Sequence, residues 1–292
     1  MNESAMPTWP RVHLAHAAAQ VSAEDIGARL LHIKGPALDP ALLPRLDGRV
    51  RPRSSSDADL LVEPGRAADL VDALTRHRFE LVTHFETGSA FEHAACLWHE
   101  KLGWVDVHRR FPGFGVPAAE AFDRLWSQRQ LIRIAGYPCA APSLLAQRLV
   151  LLLHAARGGG VHTADLALAW ADATADERLA VSALARDLGA EVGLAAATGG
   201  LDAYRDHPEY ELWRHFSTGE RSRTGEWWAR LKAAPDARTA LRLASRAVRV
   251  NTDALAMRLR RRPTRAEVVR EFGHRLWTSA GELARRFPGR RR

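Results

Sequence analysis

The chain has 292 residues, 46% hydrophobic and 26% charged, with 21 glycines and 15 prolines; these proportions fit a globular protein and exclude a disordered one. Its longest apolar stretch, Leu149 to Ala156, already contains His154, so no membrane span is expected, and the N-terminus lacks the basic start and apolar core of a secretory signal. Two cysteines, Cys96 and Cys139, without a CxxC pair, exclude a disulfide framework or a cysteine zinc site, and a cytoplasmic location is expected.

Net charge is +8, but it is unevenly spread. From Arg242 onward there are 15 arginines, no lysine and four acids, a net of +11, which leaves residues 1–241 at −3. Two readings stand side by side: residues 242–292 meet an anionic partner, or arginine is the default solvating cation of a chain with three lysines.

In chain order, residues 11–22 have helical spacing, and Arg29 to Ile33 reads as a buried strand ended by Lys34-Gly35-Pro36. A short helix is expected over about 37–45 and a polar loop over Gly48 to Ser56. Asp57 to Val62 reads as a strand and Ala67 to Arg78 as an amphipathic helix. Three strands follow, Phe79–His84, Phe91–His99 and Gly103–Arg109, then a short hairpin of Leu131–Ile134 with Tyr137–Ala140. After Pro142 the pattern turns helical. Ser143 is expected to cap a helix reaching Arg157, stopped by three glycines, and segments 162–175, 177–189 and 221–232 are helical, with 200–216 less regular. Leu241, Ala244, Val248, Leu255 and Leu259 form one stripe of a long helix ended by Pro263, and Thr264-x-x-Glu267 is a capping box opening a last helix. The stripe of that helix is Val268 or Val269, Phe272, Leu276, Leu283 and Phe287, with Pro288-Gly289 as its stop. The boundary falls near residue 142, dividing an α/β part, 1–142, from an all-helical part, 143–292.

Asp57 and Asp59 open an otherwise apolar strand. Side chains alternate along a strand, so both point to one face with Cα atoms roughly 6.6 Å apart, a spacing that suits hard divalent cations such as Mg²⁺. Asp106 lies in a second short apolar strand, Trp104 to His108, where a charge is costly unless paired or metal-bound. If the two strands pair, three carboxylates converge, and two Mg²⁺ ions could clamp the attacking and leaving oxygens of a phosphoryl transfer. A D-x-D pair alone also suits a capped turn or a solvated strand end. An EF-hand is excluded, because Val62 and Ala68 stand where its glycine and glutamate belong. Lys34, Arg51 and Arg53 are candidate phosphate contacts, Arg53 foremost, with Arg51 equally readable as a solvated loop arginine. His108, on the face of Asp106, either touches substrate or hydrogen-bonds to the carboxylates. His154 and Asp165 either line the far wall of the cleft from the helical part or, the favoured reading, hydrogen-bond between the two parts. The glycines at 158–160 lack the following Gly-Lys-Ser/Thr of a phosphate loop, His93 and His99 form no zinc pattern, no G-x-S-x-G is present, and Trp227-Trp228 is read as core.

Lys34-Gly35 after a strand, Arg53, Ser56-Asp57-Ala58-Asp59-Leu60-Leu61-Val62, Val105-Asp106-Val107-His108, and His154-Ala155-Ala156-Arg157 with Asp165-Leu166 together resemble the uncharacterised bacterial nucleotidyltransferases of the DNA polymerase β superfamily. The likeness spans roughly residues 25–175. Two departures mark it: Gly35-Pro36 stands 22 residues before Asp57, where superfamily members carry Gly-Ser some ten to thirteen residues before the first aspartate, and Pro52 precedes Arg53. The resemblance implies an α/β (α+β) fold, a mixed sheet with flanking helices followed by a helical C-terminal domain. It implies Asp57, Asp59 and Asp106 as ligands of two Mg²⁺ ions, Asp106 also as base. Lys34, Gly35, Arg53, Ser56 and His108 would contact an NTP such as ATP. The reaction implied is transfer of a nucleoside monophosphate to a hydroxyl or phosphate of a small-molecule, peptide or nucleic-acid acceptor. The alternatives are an inactive protein of the same fold that docks nucleic acid or an anionic surface through its basic C-terminus, and a nucleotide-sugar-dependent transferase using the same metal site.

Overall fold

The computed structural model describes residues 6–53, 55–88, 91–160, 162–220, 222–259 and 261–286. Helix α1 (Thr8–Asp25) leads into β1 (Leu30–His32); a small hairpin, β2 (Arg45–Leu46) and β3 (Arg49–Val50), precedes β4 (Asp57–Val62). Helix α2 (Ala67–Arg76), strands β5 (Glu80–Thr83), β6 (Ala94–His99) and β7 (Gly103–His108), helix α3 (Ala118–Ser127) and the hairpin β8 (Gln130–Ile134) and β9 (Tyr137–Ala141) complete the α/β part. The rest is helical: α4 (Leu144–Arg157), α5 (Thr163–Leu166), α6 (Ala175–Asp187), α7 (Glu191–Thr198), α8 (Tyr210–Ser217), α9 (Arg223–Lys232), α10 (Ala237–Val248), α11 (Thr252–Leu259) and α12 (Arg265–Arg286). No helix among the described residues is long and apolar enough to cross a membrane.

The main sheet has the order β1-β4-β7-β6-β5, with β4 and β7 parallel and the other neighbours antiparallel. Alternation splits β4 cleanly. Ala58, Leu60 and Val62, with Val105 and Val107 of β7, are buried against Ala15 and Ala19 of α1 and Leu70 and Leu74 of α2. The opposite face carries Asp57, Asp59 and Leu61. There Leu61 and Ile33 join Leu149 to Leu153 of α4, so the first helix after Pro142 packs directly on the sheet. A side chain buried in this way is worth ~1.5–3 kcal/mol, which makes α4 the clamp between the sheet and the later helices.

Several local expectations are corrected. No α-helix forms over 37–45; two 3₁₀ turns, Gly35–Ala37 and Pro40–Leu42, stand there. Pro36, Pro40 and Pro44 lack the amide hydrogen a helix needs, and Asp39 and Leu43 each precede a proline, which disfavours helical backbone. The segment from Gly48 is not all loop: Asp47 and Gly48 both take positive φ, +51° and +75°, the backbone of a two-residue hairpin turn joining β2 and β3. Ser143 caps α4 with its carbonyl, which accepts from Gln147 N, and not with its hydroxyl. The expected long helix over 241–259 is two helices. Arg249 is extended, and Asn251 caps α11 by accepting from Ala254 N while donating to Thr87 O, which ties α11 to the turn after β5. Segment 162–175 is α5 followed by a π turn at Ala167–Ala171. Trp228 is exposed, beneath Lys232, and not core. The capping box of Thr264 and Glu267 is present. The expected positions of Phe287 and Pro288-Gly289 lie outside the described residues, as does the side chain of Leu283.

Candidate active site

Asp59 and Asp106 face one another. The parallel register of β4 and β7 sets Asp57 beside Trp104, Asp59 beside Asp106 and Leu61 beside His108, all on the face turned away from α1 and α2. On the other side of β7, Cys96 pairs with Asp106, and the thiol hydrogen-bonds to that carboxylate. Lys34 arrives from β1, whose ladder with β4 is extended by the bond from Ile33 N to Asp59 O. Its Nζ lies 2.7 Å from Asp59 Oδ1, and His108 Nε2 lies 3.2 Å from the same oxygen. Ligand atoms of Asp59, Asp106 and His108 all fall within 4.8 Å of one another.

The electrostatics follow from burial and neighbours. Burial pushes Asp59 upward, but Lys34 and His108 outweigh it and hold the carboxyl well below its usual range. Burial, then the charge of Asp59, raises Asp106, and burial with the charges of Asp59 and Asp106 raises Asp57. One carboxylate is therefore already paired, and two are crowded by like charge, a condition that a divalent cation relieves. The donors that converge, the carboxylates of Asp59 and Asp106 and the His108 imidazole, fit a hard cation such as Mg²⁺ or Mn²⁺.

Beside the acids lies a cavity of about 240 Å³, with Asp57, Asp59, Lys34 and Gly35 on one side and His154 and His162 on the other. Gly35 has φ +58°, and a side chain there would come within 3.0 Å of Ser55 Oγ, so glycine is required where the chain turns past the serine loop. Ser55 donates to Asp57 O and Ser56 to Asp57 Oδ1, fixing the entry to β4. Arg53 also lines this cavity and is bonded to Asp165. Of the sequence candidates, Lys34, Gly35, Arg53, Ser56, Asp57 and Asp59 border the cavity, and Asp106 and His108 connect to it through Asp59.

Two nearby residues were not legible as site residues. His162 follows the three glycines, whose turn folds its ring to 4.3 Å from that of His154; Gly158 makes room, since a Cβ there would overlap His162. A His three residues before Asp165 is the signal that was present. Arg157 is half-buried between Phe91 and Phe111; desolvation lowers it to about 10, partly offset by the charge of Asp59, so it stays charged.

A family model described as "Uncharacterised nucleotidyltransferase" matches residues 18–202, more than half of the chain and the whole of this site. The chain belongs to this nucleotidyltransferase family. It is thereby placed among transferases of phosphorus-containing groups, and its nucleotidyltransferase-type mixed sheet with helical C-terminal region agrees with that placement. A search of the curated proteins finds no match. Among solved structures, the antibiotic-resistance factor ANT(2'')-Ia, determined in solution, is 18% identical with a TM-score of 0.44, covering 69% of this chain and 100% of that one.

Proposed function

We propose that the protein transfers a nucleoside monophosphate from a nucleoside triphosphate to a hydroxyl or phosphate group of an acceptor, in the cytoplasm. The observation that carries this reading is the pairing of Asp59 with Asp106 across two parallel strands, with Lys34 on Asp59. Asp57, Asp59 and Asp106 would hold two Mg²⁺ ions, whose chemistry is to neutralise phosphate charge during the transfer. Lys34, Arg53, Ser56 and the backbone of Gly35 receive the triphosphate. Arginine forks and lysine ammonium groups both suit phosphate oxygens. The acceptor oxygen forms a bond to the α-phosphorus, the α–β phosphoanhydride bond breaks, and pyrophosphate leaves with the bonding electrons. Asp106, raised by burial and by Asp59, is suited to take the acceptor proton. His108 orients Asp59 through their hydrogen bond.

The test uses α-labelled NTPs with Mg²⁺ and a panel of small-molecule, peptide and nucleic-acid acceptors, read by intact mass. A nucleotidyl adduct formed by the native protein and lost in Asp57→Asn and Asp59→Asn supports the reading. Label transfer that survives both substitutions removes it, and a hexose adduct from a nucleotide sugar would replace it with a glycosyl transfer.

A further inference from the structure

A guanidinium has two terminal arms, and in Arg53 just one is tied down. Nη2 donates to Asp165 Oδ2 at 2.8 Å, while Nη1 is buried with no hydrogen-bond partner. The loop bearing Arg53 comes from the α/β part, whereas Asp165 sits on α5, so the bond joins the two parts beside the cavity that Arg53 lines with Lys34, Gly35, Asp57 and Asp59. Asp165 is well placed as an anchor. Its side chain is 4% exposed, and the same Oδ2 lies 3.5 Å from His154 Nδ1, so the carboxylate is enclosed between Arg53 and His154. Burial lowers His154 to about 4, which leaves that imidazole neutral and Arg53 as the full positive charge facing Asp165. A buried N–H left unpaired is costly, and a phosphate oxygen brought beside it would satisfy it.

We propose that Asp165 is a positioning residue for nucleotide binding: it holds one arm of Arg53 so that the other, Nη1, is aimed at the triphosphate. This rests on the nucleotidyltransferase reading above and assigns a task to the helical part of the chain. The contrary arrangement is equally definite. If Asp165 instead competed with phosphate for Arg53, removing its charge would tighten binding.

The experiment measures binding of inorganic triphosphate with Mg²⁺ to the full chain by calorimetry, which leaves the base and the acceptor out of the question. Asp165→Asn is expected to weaken binding about tenfold, the scale of one charge-assisted hydrogen bond. Arg53→Ala is expected to cost at least as much, and the double variant no more than Arg53→Ala alone, because Asp165 acts through Arg53. Arg53→Lys keeps the positive charge beside Asp165 and should resemble Asp165→Asn, since one ammonium cannot serve both partners in the fork geometry. Unchanged or tighter binding in Asp165→Asn, or costs that multiply in the double variant, overturns the proposal and leaves the enzyme reading intact. If the native chain takes up neither triphosphate nor any NTP, the reading and the proposal fall together.

Discussion

The corner where β4 meets β7 and the arginine-rich helices α10 to α12 carry charge under opposite conditions. At the corner, Asp59 is 4% exposed and its one oxygen Oδ1 answers both Lys34 and His108. In the C-terminal helices the arginines lie at the surface, and several are already matched: Arg258 and Arg275 with Glu271, Arg261 with Glu267, and Arg246 with Glu92 of the α/β part. Three of the four acids of this region are thus engaged, Asp253 through His84 and Thr87. Formal charge is larger in the helices, yet the dielectric makes each charge at the corner count for more. The sharpest way to break the comparison is Asp59→Ala. It strands a largely buried ammonium, a loss of about 3–5 kcal/mol, and should reduce nucleotidyl transfer by at least about 10³-fold. Denaturant unfolding together with the labelled-NTP assay measures both; a variant as stable and active as the native chain would show that burial confers no privilege on this corner.

A second test uses the buried histidines around the sheet. Burial lowers His16 to about 3 and His154 to about 4, and holds His32 and His93 well below the ordinary imidazole range. Unfolded, these rings titrate near 6.5. Between about pH 6.5 and 4 the unfolded chain therefore binds protons that the folded chain does not. Stability is complete above that window and falls as pH drops through it, by up to about 1.4 kcal/mol per pH unit for each ring. His16 is fully buried, its Nδ1 2.8 Å from His32 Nδ1, and His32 Nε2 meets Gln20 Oε1 at 2.9 Å. His16→Gln should flatten the acid slope of urea midpoints by about one proton. An unchanged slope would place the acid sensitivity elsewhere.

Mg²⁺ should act in the opposite sense at the corner, stabilising by relieving the crowding of Asp57 and Asp106. Raised carboxyls are most at ease protonated, so their ionisation lowers stability as pH rises past the unfolded value. Asp106→Asn should consequently melt above the native chain in chelator, yet gain less on adding Mg²⁺ and lose transfer. If Mg²⁺ lifts the melting temperature of both proteins equally, Asp106 is no ligand.

Much of this corner could be read in advance because strand alternation is short-range. Asp57, Asp59 and Asp106 stand out as acids in apolar strands, and β4 has the expected bounds of Asp57–Val62. Which strands pair is a tertiary matter, so the Asp59–Asp106 register came from the structure alone. The cluster of His154, His162 and Asp165 was legible in part: His154 and Asp165 through the family resemblance of His154-Ala155-Ala156-Arg157 and Asp165-Leu166, His162 not, because its place depends on the backbone path through Gly158 to Gly160. Helix α3 carries Ala121, Phe122 and Leu125 at helical spacing, but the stretch rich in proline and glycine before it masks its start in the sequence. The stripe from Leu241 to Leu259 fitted one helix, and the break reflects the bond of Asn251 to Thr87, a contact between residues 164 positions apart.

The smallest effect belongs to the other side of the comparison. Arg258 is 63% exposed at its side chain and meets Glu271 at 2.5 Å, a short contact by distance. Exposed pairs of this kind contribute about 0.2–1 kcal/mol and are screened by salt. Glu271 also accepts from Arg275 within α12, so it keeps a partner when Arg258 is removed. Arg258→Ala should therefore shift the melting temperature by less than about 2 °C, and the difference should shrink further in 1 M salt, where the Debye length is about 3 Å. A shift comparable with that of Asp59→Ala, persisting in high salt, would mean that the contact between α11 and α12 is held by its ion pairs and not by the burial of Leu255. Charge in the C-terminal helices would then be structural in the same sense as charge at the corner.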